Sequence, residues 1–402
     1  MQLGWIDFSK KDRQKVLDVM NLLQEPGTVD ELGIGIVRDA FANYFFPGTS
    51  TIQTRAKYLL IVPYLLKEAV DGRYGKDVNK IIRSIDAAEK DCGIRLLEKD
   101  SSADGIIGKR VLPKGWVARK PSDIYWNGIR TYEIFRSKDL SIKEYLWLAT
   151  QIKDKKTKLL AGNRGDDSAN SDKDDQDTGD IGGFHFWNLP TYREDWKDNL
   201  QIELTKEEAE YLQRQIIKST EGTLLAYILK NNIRISEVEN FLLLTKMLKA
   251  QVDDEIAEMM QLACDFDYLV YMARVRYNMI LSEGKSDAAQ AEWEWLSKDL
   301  KRFSSVDLKA VFDRLGIQNP KTFVFLTQIQ ECFKEGRIED ADTCIIKREV
   351  SLKGINRAKL SRRKEFYIPG AWVGGGWLDY RFYDAGRIIN DIYHAREVST
   401  FV

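Results

Sequence analysis

Histidine is scarce: only His185 and His394 occur in 402 residues. A Ser-His-Asp or Cys-His centre must use one of them, and neither sits in a recognisable motif. Cysteine is sparse too. Cys92, Cys264, Cys332 and Cys344 are far apart and form no C-x-x-C pair. Structural zinc sites draw on close-spaced thiolate and imidazole ligands, so these four read as reduced, mostly buried thiols of a cytoplasmic protein. No metal and no cofactor is expected. Net charge is nearly absent, because 61 Lys and Arg stand against 62 Asp and Glu. That excludes a uniformly basic nucleic-acid binder or lipid-surface binder. Long apolar runs are missing. The longest, Tyr58 to Leu66, is interrupted by Pro63 and falls far short of the ~20 residues of a membrane span. The opening Met-Gln-Leu-Gly-Trp-Ile-Asp lacks the basic-then-apolar order of a signal peptide. There is no phosphate-binding loop either: Gly105-Ile106-Ile107-Gly108-Lys109-Arg110 is too short and lacks the hydroxyl that would hold magnesium. A cytoplasmic protein with no membrane partner is the expectation.

What is present points to a folded, helical chain. Apolar residues make up 44% and aromatics 11%, too many for a disordered protein. Ser141-x-x-Glu144, Thr205-x-x-Glu208 and Ser236-x-x-Glu239 have the spacing of capping boxes, and Ser9-x-x-Asp12 is a weaker relative. Asn319-Pro320 offers a cap followed by a first-turn proline, and Gly316 and Gly336 fall where helices end. Between 250 and 282, Val252, Ile256, Met259, Ala263, Phe266, Val270, Ala273, Tyr277 and Ile280 recur every three or four residues, as on one face of a long helix. Further helices are expected near 10–23, 54–70, 76–98, 141–152, 206–218, 236–249, 286–300, 306–315 and 320–335. Short strands or extended loops are expected within Ile106 to Val117 and Glu365 to Leu378. The fold class is mainly α, a multi-helix, two-domain protein with a few short strands.

The stretch Asn163 to Asp180 holds seven Asp, one Arg and one Lys, and no large apolar residue. Such a segment cannot offset its ordering entropy by burial. It is expected to be a linker or loop, and the spacing of a calcium-binding loop is absent. The division that follows is an N-terminal helical domain over 1–160, an acidic linker over 161–183 and a C-terminal helical domain over 184–402.

The near-zero net charge conceals a basic block. Lys347, Arg348, Lys353, Arg357, Lys359, Arg362, Arg363 and Lys364 stand against one acid, Glu349, a local net charge of +7. Phe366, Tyr367 and Trp372 follow. Cations release counterions from phosphates, and aromatic faces stack on single-stranded bases. An acidic protein partner or an inert solvated face fits the same pattern. A weaker basic cluster comprises Lys109, Arg110, Lys114, Arg119 and Lys120 around Trp116. Thr49, Ser50 and Thr51, with Arg55 and Lys57, lie before an apolar helix and form a possible anion site; an ordinary hydroxyl N-cap is the favoured reading. Gly374-Gly375-Gly376, between Trp372 and Trp377, reads as a tight turn between aromatic anchors. Glu339, Asp340 and Asp342 precede Lys347, and Asp379 and Asp384 flank Arg381. These are the carboxylates a metal-dependent nuclease would use.

Several segments carry a resemblance: Gly4-Trp5-Ile6-Asp7-Phe8-Ser9, Asp30 to Phe41, Phe46-Pro47-Gly48-Thr49-Ser50-Thr51-Ile52-Gln53-Thr54-Arg55, Tyr125-Trp126-Asn127-Gly128-Ile129, and Phe184-His185-Phe186-Trp187-Asn188-Leu189-Pro190. Together they resemble an uncharacterised bacterial domain-of-unknown-function family. The resemblance implies a component of anti-phage gene clusters of the three-gene Azaca type, beside large helicase-containing proteins. It carries over no catalytic residue. The expected function is an accessory subunit that binds DNA or RNA, or a helicase-type partner, through the basic block. A metal nuclease and a scaffold without nucleic-acid binding are the alternatives.

Overall fold

The computed structural model describes residues 30–72, 77–162 and 185–398. The expected helix near 10–23 and nearly all of the acidic linker lie outside them. The described residues are mainly α. Helices run over Gly35–Phe45 (α1), Tyr58–Asp71 (α2), Val78–Lys99 (α3), Pro121–Thr131 (α4), Ile142–Gly162 (α5), Lys206–Ser219 (α6), Leu224–Lys230 (α7), Phe241–Leu248 (α8), Asp254–Leu281 (α9), Asp287–Leu296 (α10), Leu300–Phe303 (α11), Leu308–Arg314 (α12), Pro320–Lys334 (α13), Ile338–Lys353 (α14), Arg363–Phe366 (α15) and Phe382–Val398 (α16). Within the two stretches expected as short strands or extended loops, turns and loops form and no strand. Residues 106–117 fold as turns, Arg363–Phe366 is helical, and the extended pairing among the described residues is one isolated bridge, Phe135 with Trp187. No helix among the described residues is long and apolar enough to cross a membrane.

Local chemistry sets the helix ends. Ser141 N donates to Glu144 at 2.7 Å and Glu144 N donates back to the Ser141 hydroxyl at 3.2 Å. Thr205 and Glu208 make the same reciprocal pair at α6. Each pair satisfies two orphan amides. Asn319 accepts from Thr322 N at 3.0 Å, with Pro320 in the first turn of α13. Gly336 ends α13 with a φ of 70°, the left-handed geometry that suits glycine. Ser236 opens no helix. Asn240 caps α8 instead, accepting from Leu243 N at 2.9 Å, because a competing cap lies one residue before the apolar run.

The chain forms two compact units that interleave along the sequence. One gathers the described residues of Met1–Tyr44 with Val238–Tyr380; the other gathers those of Phe45–Glu237 with Arg381–Val402. These bounds differ from a split at 161–183, because composition cannot reveal a chain that leaves a unit and returns to it.

In the first unit α9 is the centre. α8, α10 and α14 pack on it, and α13 packs on α14. The expected apolar positions of α9 are buried, but so are Leu269, Met272 and Val275, along with the polar Asp267, Arg274 and Asn278. The helix is buried on most sides rather than on one face.

In the second unit α2 is the buried element. Tyr58 through Leu66 are all buried, with Pro63 inside the helix. α3, α4 and α5 pack on α2, while α6 packs on α7 and α16. Trp126, Phe135, Tyr145 and Trp187 form an aromatic cluster whose ring centroids lie 4.8–6.2 Å apart.

Candidate nucleic-acid interface

The basic block divides into an inner and an outer set. Its first half is α14, and burial decides each side chain's role. Glu349 is fully buried. It accepts from the Tyr277 hydroxyl at 2.7 Å, Leu360 N at 2.9 Å and Lys359 N at 3.2 Å, with Lys353 Nζ at 3.5 Å. Glu31 pairs with Lys359 at 2.9 Å and Lys353 at 3.3 Å. Burial pushes the Glu31 carboxyl up, but these two ammonium groups outweigh it and hold it below its ordinary range. Arg348 is buried and donates to Leu32 O and the Thr322 hydroxyl, each at 2.9 Å. Arg348, Lys353 and Lys359 are therefore framework. Arg362 is paired with Glu365. Lys347, Arg357 and Lys364 are exposed, with no carboxylate partner among the described residues. Arg363 is half-buried and donates to Leu360 O at 3.0 Å.

Beyond α15 the chain passes half-buried Tyr367 and reaches the glycine turn. A polar stripe on α9 holds that turn: Asp267, Arg274 and Asn278, at spacings of seven and four, share a helix face. Asn278 and Val373 exchange two hydrogen bonds of 2.8 Å, Leu378 N donates to Asp267 at 2.9 Å, and Arg274 donates to Gly376 O. Burial raises the Asp267 carboxyl to about 8 and lowers Arg274. Gly374 and Gly375 have φ of 87° and 78°, so the expected tight turn is formed.

The turn displays its aromatics outward. Trp377 stacks on Tyr271 at 3.9 Å and 20°, and Trp372 lies over the same ring at 6.1 Å and 19°. Tyr268 joins Trp377 edge-on at 5.2 Å and Phe303 face-on at 4.9 Å. Trp295 packs on Phe303 at 4.9 Å. Trp377 and Trp295 are each 41% exposed. Of this layer the sequence pattern marks Trp372 as a binding candidate and Trp377 only as an anchor of the turn. Tyr268 and Tyr271, three apart on α9, were the available signal, masked by a helix that reads as core.

The second candidate, in the other unit, is closed. Thr49 is buried and donates to Phe46 O at 2.6 Å, Gln53 donates to Gly48 O at 3.0 Å, and the Tyr125 hydroxyl accepts from Thr54 N and Arg55 N at 2.7 and 3.0 Å. The Ser50 hydroxyl is buried without a partner, and Thr51 is exposed. None of these hydroxyls caps α2, which begins after Lys57 with no side-chain cap. Both expected cations are already neutralised: Arg55 by Asp391 at 3.0 Å and Glu203 at 3.5 Å, and Lys57 by Glu208 at 2.6 Å. The cleft of about 450 Å³ beside Arg55 also holds Glu203, Glu207 and Asp391.

Residues 1–182 match the model of a family of unknown function, DUF6361. No curated protein and no solved structure matches the chain. The DUF6361 segment contains the Phe46–Arg55 loop and ends before the aromatic layer.

The remaining candidates are dispersed. Lys109 donates to Ser102 O and Ala103 O, Lys120 pairs with Asp86, and Trp116 donates to the same Asp86. Arg110, Lys114 and Arg119 are exposed. Asp340 pairs with Arg337 at 2.7 Å and Asp342 with Arg276. Among the described residues no group of three His, Cys, Asp or Glu side chains is placed to hold a metal ion.

Proposed function

We propose that this protein binds nucleic acid as an accessory subunit of an anti-phage system, beside a helicase-type partner. The family resemblance supports the setting. One observation carries the binding reading: the outer cations Lys347, Arg357 and Lys364 lead along the chain into a layer of stacked aromatics whose Trp377 and Trp295 are exposed. Cations of this kind fix a phosphate backbone, and exposed ring faces accept unpaired bases.

The test is binding of single- and double-stranded oligonucleotides as a function of salt. Affinity is expected to fall as salt rises. Replacing Lys347, Arg357 and Lys364 with Glu weakens binding and flattens the salt slope by roughly 0.7 per lost single-strand contact. Absence of binding at low salt overturns the reading. If that variant instead loses a co-purifying protein partner, the scaffold alternative takes its place.

A further inference from the structure

Below the aromatic layer, between α8, α9 and α11, lies a cleft of about 570 Å³. That is within the range of small-molecule sites, roughly 300–1,000 Å³. Its wall is Tyr268 and Phe303, and its rim carries Lys246, Lys249 and Arg302. All three cations are exposed. Lys249 donates to the Gln261 side chain at 2.8 Å, and the Arg302 guanidinium lies 5.7 Å from the Phe303 centroid. Lys246 and Arg302 have no carboxylate partner among the described residues. Asp265 also lines the cleft, and its carboxylate accepts from Gln261 Nε2 at 2.8 Å. The Tyr268 ring is shared: one neighbour is Phe303 in the cleft, the other is Trp377 in the layer above. Cleft and layer therefore meet at Tyr268.

We infer that this cleft and the ring beside it form a subsite for a single strand, in which one base stacks on the exposed Trp377 and its neighbour enters the cleft beside Tyr268, while Lys246, Lys249 and Arg302 hold the flanking phosphates. This rests on the nucleic-acid reading above and narrows it to unpaired strands. A duplex keeps its bases stacked on one another and cannot offer a free ring face. Of these residues the sequence pattern marks only Trp377, as an anchor of the glycine turn.

The test uses the full chain with fluorescent 15-mers of oligo-dT and oligo-U and a DNA duplex of equal length, at one salt concentration. The expected result is a loss of single-strand affinity of about 5- to 150-fold for Trp377→Ala, the range that removal of one stacking ring produces. Arg302→Ala weakens the same ligands. Duplex affinity is unchanged in both variants, while Trp377→Phe, which keeps a ring, retains most single-strand binding. Oligo-dT and oligo-U together show whether the strand is DNA or RNA. The subsite is overturned if Trp377→Ala, melting like the wild type, binds single strands with unchanged affinity. It is also overturned if Trp377→Ala and Trp377→Phe lose affinity equally. In either case the outer basic set still stands on its own charge-reversal result. If the unaltered chain binds no oligonucleotide, the broader reading falls and the subsite falls with it.

Discussion

The two glycine-containing loops, Phe46–Arg55 and Trp372–Trp377, solve the same backbone problem in opposite ways. In the first, Gly48 takes a φ of 80° and lies so close to Tyr132 that an added Cβ would sit 2.7 Å from its ring. Tyrosines and carboxylates seal the loop, and its hydroxyls and cations are turned to internal work. In the second, Gly375 takes a φ of 78°, but a Cβ there would meet only the Arg274 guanidinium, at 3.5–3.6 Å. The polar groups of α9 grip the backbone from beneath and leave Trp372 and Trp377 on the outside. The more distinctive sequence thus belongs to the packed loop, and the plainer one to the exposed surface. Hydroxyls and bases in a row mark availability only after their partners are counted.

The largest effect is expected inside the basic block. Glu349→Ala leaves the Tyr277 hydroxyl and the Leu360 and Lys359 amides without their buried acceptor, while Lys353 keeps Glu31, and costs about 3–5 kcal/mol of stability by denaturant titration. A cost under about 1 kcal/mol would mean that the inner set is not framework. Next come the two glycines. Gly48→Ala combines the left-handed penalty with overpacking against Tyr132 and costs about 2–5 kcal/mol, whereas Gly375→Ala costs only the backbone penalty of about 1–2 kcal/mol. Equal shifts in melting temperature would erase the contrast between the loops.

Asp267 sharpens it through pH. Its folded carboxyl titrates near 8 because it is buried, whereas an unfolded Asp titrates near 4. The folded state therefore holds a proton that the unfolded state has lost, so stability falls as pH rises from about 4 to about 8. Asp267→Asn keeps an acceptor for Leu378 N and cannot ionise. Urea titrations between pH 5 and 8 are expected to show a shallower fall than the wild type, and an identical slope would place the titration elsewhere. The smallest effect is Glu365→Ala, which removes an exposed partner of Arg362. A stability change within about 0.5 kcal/mol is expected from thermal melts.

The fold class and many helix ends were legible because they are local. Thr205 with Glu208, Asn319 before Pro320, and Gly336 each act within a few residues. α14 and α16 were not seen, because charges interrupt their apolar periodicity and distant elements complete their burial. The same limit governs the site. The +7 of the block was countable, but Glu31, some 320 residues earlier in the chain, is what removes Lys353 and Lys359 from the surface. Trp295, Tyr268 and Trp377 come from separate segments and become one surface only on folding.

In the proposed complex the outer cations and the aromatic layer together hold an unpaired strand. The most direct measurement is the affinity of the full chain for a single-stranded 15-mer across a salt series, repeated with Lys347, Arg357 and Lys364 changed to Glu and with Trp377→Ala. Tight binding at low salt is expected, with a flatter salt slope for the charge variant and a weaker affinity at an unchanged slope for the tryptophan variant. Binding that is absent at low salt, or indifferent to both variants, would contradict it.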